Sequence, residues 1–457
     1  MLKSTLLIGG ATYAVLGILA IVFYKERMAF LDSSFILFSI LKEGNFAIQV
    51  NRFGACLTQI FPLAGSKLGL SLNNIMKVYS LGFIVYYFSL FYVCVGVFKK
   101  YRFGLCLLLF NVLMVAHTFY WVMNEFIQGI ALMIVFFAFL SRMDETNLKD
   151  KSWYFLVKIL SLLTLAFIHP LLIIPFAFAT VYFYYFRHIE RKSLINSSII
   201  FLVFVVTKNI FFRSAYDSSA MGGLKNFLSL FPNYFSIESN KMFLTYLIYD
   251  YYLLIPLLGI IIYYFVKQKL KYPLYFIPAS FIGYLFLINV SFKDGPDQFY
   301  IESLYLPLSL FLIIPFVFEI IPKLKLNQAI VGLSFTCLIR VLHIYGSHQP
   351  YSNRVSYLNS ILDKTANNPN KKMILATKNM AMDTLMMSWG SPYEFWLLST
   401  INTGESRSIL IIETPSKYNW ALGQKDEFIT DWGLFKYDQL PNKYFNFRDT
   451  SQYQIKH

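Results

Sequence analysis

Residues 29–73 read AFLDSSFILF SILKEGNFAI QVNRFGACLT QIFPLAGSKL GLSLN, and whether this stretch crosses a membrane decides the fold. A transmembrane helix needs roughly 20 predominantly apolar residues. The longest candidate here, 53–64, is about twelve residues long, well short of that length. Lys42, Glu43, Arg52 and Lys67 interrupt the stretch, and Gly44, Pro62, Gly65 and Gly69 break up any long helix. The whole segment 25–73 is therefore expected to stay outside the bilayer, with amphipathic helices over 32–40 and 46–62 lying on a membrane surface.

Working outward, the flanks are apolar on both sides. The chain of 457 residues is 57% hydrophobic and only 14% charged, more apolar material than a soluble core of this length buries. Candidate spans fall near 5–24, 74–98, 103–119, 121–141, 153–170, 171–186, 194–212, 243–266, 273–292, 303–321 and 327–346, about eleven in all. The first is read as a retained helix, because Lys25, Glu26 and Arg27 follow it and no small-residue cleavage site does. The expected fold class is an all-α polytopic membrane protein with interfacial helices after its first span.

Basic residues then set the orientation. Lys99, Lys100 and Arg102 follow the second span, Arg142, Lys149 and Lys151 the fourth, Arg187, Arg191 and Lys192 the sixth, Lys267, Lys269 and Lys271 the eighth, and Lys323 and Lys325 the tenth. Every second loop is basic. The positive-inside rule makes those loops cytoplasmic. It places the N-terminus inside and everything after the last span outside. The net charge of +15 is thus spent on orientation and lipid contact, and no nucleic-acid partner is expected.

Composition turns polar after about residue 350. Residues 1–349 form the expected transmembrane unit and 350–457 a small soluble α/β domain outside the membrane, with strands near 372–377 and 408–413. The four cysteines, Cys56, Cys94, Cys106 and Cys337, lie in or beside apolar segments, so they are expected to act as small hydrophobes without a disulfide. Richness in Lys, Asn, Ile and Phe is compatible with a bacterial cytoplasmic membrane.

On this topology the candidate chemistry collects on the outer face. Asp32, followed by Ser33 and Ser34, reads either as a helix N-cap or as a base whose proton affinity is raised at the membrane surface. Glu125 opens an apolar run, and ionisable groups in such positions face water, a cavity or a partner. His169, beside Pro170, reads as a helix cap or as a donor to phosphate. The loop 213–242, long enough to be a binding segment, carries Arg213, Asp217, Lys225, Glu238 and Lys241; Arg213 and Lys225 are its substrate-binding candidates. No nucleotide loop, nucleophile elbow or metal-ligand spacing occurs, so any activated donor is expected to be membrane-borne.

The pattern resembles the GT-C fold glycosyltransferases, which include the protein mannosyltransferases and bacterial aminoarabinose transferases. The resemblance covers roughly residues 1–350. It rests on Asp32 opening an outer segment after one span, on Lys42-Glu43-Gly44, Asn51-Arg52-Phe53 and Asn124-Glu125-Phe126, and on Ser303-Leu304-Tyr305-Leu306-Pro307-Leu308 entering a late span. It implies a polyprenyl-phosphate sugar as donor, a glycan, lipid or protein as acceptor, Asp32 as catalytic acid/base with Glu125 as second catalytic candidate, and Arg52 as a phosphate contact. Many members carry two adjacent acids where this chain has Asp32-Ser33, which suits inverting transfer without a metal; no cofactor is expected, and a divalent metal stays open. Rival classes are a surface-polysaccharide polymerase, which would lean on loop arginines although 213–242 offers only Arg213, and a solute or lipid transporter, which would need mid-membrane polar pairs or broken repeats. A catalytically inactive scaffold is the third.

Overall fold

The computed structural model describes residues 1–146, 152–215, 221–365 and 371–456; Lys149, Lys151 and Asp217 lie outside the described residues. The protein is a helical membrane protein. Among the described residues seven helices are long and apolar enough to cross a bilayer: Leu2–Val22, Leu72–Val97, Glu125–Glu145, Arg191–Phe211, Lys271–Ser291, Gln298–Lys323 and Leu326–Lys364. Shorter apolar helices, Tyr101–Phe110, Ser152–Ala166 and Pro170–Phe186, and one bent pair accompany them.

Two segments expected as straight spans are broken, and buried charge explains both breaks. The 103–119 run ends its helix at Phe110 and resumes only as a short turn, His117–Phe119. Between them Arg340, fully buried, donates to the carbonyls of Val112 at 3.1 Å and Val115 at 3.0 Å. Glu302, also fully buried, accepts from the backbone amides of Ala116, His117 and Thr118 at 2.9, 3.2 and 2.8 Å. Irregular backbone inside a bundle survives only when its polar groups find partners, and these two side chains supply them. The 243–266 run is split into Glu238–Tyr249 and Leu254–Lys267, which meet at 87°. Arg340 takes the Asp250 carbonyl at 2.6 Å, and Pro256 has no amide to continue the ladder.

The basic loops gather at one end of the bundle. Lys100 pairs with Glu145, Glu190 donates its amide to Asp144 at 2.7 Å, and His188 lies 2.7 Å from Glu319. Tyr185 stacks on Tyr272 there. Glu125 sits at the other end. At about 1.5 Å per residue the helix between Glu125 and Glu145 separates the two ends by about 30 Å, the thickness of a hydrocarbon core.

The segment after the first span differs from its expectation. Its helices run Leu31–Glu43, ended by Gly44 at φ 62°, and Cys56–Lys67; residues 46–52 are not helical. Nor is the apolar face of Leu31–Glu43 offered to lipid. Phe38 is ringed by Tyr393, Trp396, Phe428, Phe435 and Phe445 at 5.1–5.5 Å, all from the C-terminal region. Aromatic burial of this kind is worth more against a partner fold than a half-immersed surface position.

That C-terminal region is a small α/β unit entered through the helix Gln349–Lys364. Strands β1 (Lys372–Ala376), β2 (Ser408–Ile412) and β5 (Gln454–Lys456) form a parallel sheet in the order β2-β1-β5, and β3 (Glu427–Thr430) pairs with β4 (Gly433–Lys436) as a hairpin. The helix Ser391–Thr403 lies between β1 and β2 in sequence, as a parallel pair requires a crossover. The four cysteines are unpaired, three of them buried.

Candidate functional site

Four segments converge at the Glu125 end, and two glycines let them. A side chain on Gly54 or Gly129 would collide with Ile168, at 2.2 and 2.6 Å respectively. The loop before Cys56, the helix Glu125–Glu145 and the turn at His169 therefore close around one isoleucine.

Asn124 accepts from the amides of Phe126 and Ile127 at 3.0 and 3.2 Å, which makes it the N-cap of its helix. Glu125, the first helical residue, is left to pair with Arg52 at 3.1 Å; both side chains are nearly buried. Asn51 donates to the Phe212 carbonyl at 3.1 Å and so ties this loop to the end of Arg191–Phe211.

Asp32 is not an N-cap. Its helix begins at Leu31 with Phe30 in the cap position, so the carboxylate stands in the first turn, where the helix dipole favours negative charge. It accepts from the Trp121 indole at 2.9 Å and remains partly exposed. Burial pushes its carboxyl up to about 6, against the Trp121 hydrogen bond; neighbouring Glu125 raises it further and Arg52 lowers it. An acid with this affinity is suited to exchange protons near neutral pH.

His169 does cap a turn: its Nδ1 accepts from the Leu171 amide at 3.3 Å. With Nδ1 committed, the neutral ring carries its proton on Nε2. The ring stacks on Phe126 at 4.7 Å and feels the Arg52 and Lys208 cations. It lines a narrow cleft with Lys208, Asn209 and Arg213 and an apolar wall of Ala166, Pro170, Ile173, Phe201 and Val205.

Asp32, Glu125, Arg52 and His169 are thus brought together, with Arg213 at the pocket rim. Lys225 is not. It is exposed at the end of the turn Met221–Lys225, which packs on Lys271–Ser291 through Gly223.

Three participants were not visible as candidates in the sequence. Lys208 was detectable as an ionisable residue inside an apolar run. Trp121 had no signal beyond its position. The pair Arg354–Glu394, 2.7 Å apart and almost wholly buried, carries the third role: Glu394 accepts the Leu31 amide at 2.7 Å, and Arg354 donates to the carbonyls of Ala29, Leu385 and Met387. Leu31 has φ 40°, a strained conformation for a leucine, and this clamp holds it there, immediately before Asp32.

Among the described residues no three His, Cys, Asp or Glu side chains converge to hold a metal. Comparison with known protein families, curated proteins and solved structures finds no match to this chain.

Proposed function

We propose that the protein is a membrane glycosyltransferase that moves a sugar from a polyprenyl-phosphate donor to a glycan, lipid or protein acceptor. The observation that supports this reading is Asp32, a carboxyl raised to about 6, sharing Arg52 as a neighbour with His169, which lines an apolar-walled cleft with Lys208 and Arg213. In this reading an acceptor hydroxyl attacks the anomeric carbon, its proton passes to ionised Asp32, and the bond from that carbon to the phosphate oxygen breaks. The lipid phosphate leaves with the bonding electrons. Arg213, Lys208 and the Nε2–H of His169 hold it, while Arg52 and Glu125 neutralise one another and keep Asp32 ionisable. Stabilising the departing charge with preorganised cations and removing the proton in the same event are the two largest contributions such a transfer needs.

The reading includes eleven spans, a cytoplasmic N-terminus and a site on the outer face of a bacterial cytoplasmic membrane. The gathering of the basic loops at the far end supports that orientation. A reporter fused after His457 gives an outer-compartment signal; a cytoplasmic signal refutes the placement. The activity is tested with purified protein in nanodiscs and a panel of polyprenyl-phosphate sugars. Asp32→Asn reduces transfer by about 10²-fold or more, and a variant with full activity overturns the assignment of the base.

A further inference from the structure

Beside Asp32 lies a second constellation, built by the C-terminal region. The helix Leu31–Glu43 is buried on most of its surface, but Asp32, Phe35, Ser39 and Lys42 stay partly open. Their spacing places them on one stripe of the helix. Phe35 meets Trp432 edge-on at 5.3 Å and Trp389 at 6.5 Å, and the two tryptophans stack on each other at 4.7 Å with 28° between their planes. Trp432 is 63% exposed. It occupies the two-residue tip of the β3–β4 hairpin with Asp431, a place where turns favour small polar residues. A large apolar ring held out at such a tip, backed by a second ring and not folded into the core, is a surface kept for contact.

Asp431 supplies the polar half. One of its carboxylate oxygens is buried without a hydrogen-bond partner, a state that proteins seldom leave unfilled. Burial also pushes its carboxyl up to about 6. Its charge is felt by Tyr393 and by Tyr418, and Tyr418 lies against the exposed Trp420.

We infer that Trp389, Trp432, Phe35 and Asp431 form a glycan-binding subsite that delivers the acceptor to Asp32, a role that rests on the transferase reading above. A sugar ring has faces of C–H groups, which pack on the negative face of an indole, and an edge of hydroxyl donors, which the partly exposed Asp431 carboxylate at the hairpin tip accepts. Neither requirement alone picks out sugars, but together they do. A lipid surface would be served by the tryptophans and opposed by Asp431, whose charge repels phosphate headgroups. Phe35 carries the geometry onward: it lies one helical turn from Asp32 and on the same stripe, so a chain of sugars resting on the tryptophans has its end at the acid.

The test uses the full chain in nanodiscs of phosphatidylglycerol and phosphatidylcholine, applied to an array of defined oligosaccharides. Retention on a subset of glycans is expected, with Trp432→Ala weakening it about tenfold or more and Asp431→Asn weakening it by a smaller factor. Trp432 is exposed at a turn, so its loss leaves the fold intact; an unchanged thermal unfolding profile checks this. No retention on any glycan overturns the inference, as does retention that neither variant changes. A Trp432→Ala effect seen only in association with phosphatidylglycerol vesicles overturns it in favour of a membrane anchor. Array retention needs neither donor nor transfer, so its failure is distinct from failure of the Asp32→Asn transfer assay.

Discussion

Replacing Arg354 by alanine isolates what the C-terminal region does for Asp32. Arg354 and Glu394 are 1% and 0% exposed, so removing the cation strands a carboxylate whose proton affinity burial already raises against the pull of Arg354. Breaking a buried pair from one side costs about 3–5 kcal/mol. The loss falls on a local structure, because the same guanidinium holds the Ala29, Leu385 and Met387 carbonyls and Glu394 holds the Leu31 amide. At about 1.4 kcal/mol per factor of ten, the Leu31 amide should exchange with solvent about 10²–10⁴-fold faster. Hydrogen exchange followed by mass spectrometry over residues 29–35 and 385–394 reads this directly. The double variant Arg354→Met with Glu394→Gln should regain most of the protection, since the amide carbonyl of Gln still accepts from Leu31 and no charge is left buried. Unchanged exchange in Arg354→Ala, or a double variant no better than the single, refutes the clamp.

Transfer should rise with pH along a limb near 6, because Asp32 must be ionised to act as a base. The sign for stability is opposite: a carboxyl raised from 3.8 to about 6 contributes stability present below its unfolded value and lost as pH rises through the folded one. Trp121→Phe removes a hydrogen bond that favours the ionised form, worth about 1.5 kcal/mol or more, so the limb should move up by about one pH unit; a rate profile that stays in place refutes the contact's role. Glu302→Gln replaces an acceptor-only carboxylate held by three backbone amides and the Thr118 and Tyr251 hydroxyls. Even with the new NH₂ group on the side that serves fewer donors, it meets the His117 amide and the Tyr251 hydroxyl, and the stranded amide alone costs about 1–3 kcal/mol, visible as a lower unfolding temperature in detergent.

How much of this was legible in the sequence depends on what each residue's neighbours are. Apolar runs announce themselves because lipid demands about 20 residues of one character; the expectation that 29–73 stays outside the bilayer rests on length and charge, and its helix Cys56–Lys67 has 12 residues. Asp32, Glu125 and His169 were legible as ionisable groups near span ends, and Arg52 through the family resemblance. The breaks at Phe110 and Tyr249 were not, since hydropathy is blind to whether a backbone carbonyl is taken by Arg340. The amphipathic face of Leu31–Glu43 was read as lipid-facing because a hydrophobic stripe looks the same whether it meets acyl chains or Phe428 and Trp396. Lys225 shared a loop with Arg213, yet sequence proximity did not carry it to the site.

Those unread contacts lead to one structural conclusion about the acid. Asp32 is held from two directions by backbone that no local propensity would produce. Trp121 reaches it from the broken segment that Arg340 and Glu302 stabilise inside the bundle, and Leu31 is fixed in its left-handed conformation by Glu394 from the C-terminal region. Strained or irregular backbone persists only where the surroundings over-determine it. Here Arg354 and Glu394 hold Ala29 and Leu31 beside the carboxylate, while Arg340 and Glu302 hold the 112–118 backbone just before Trp121.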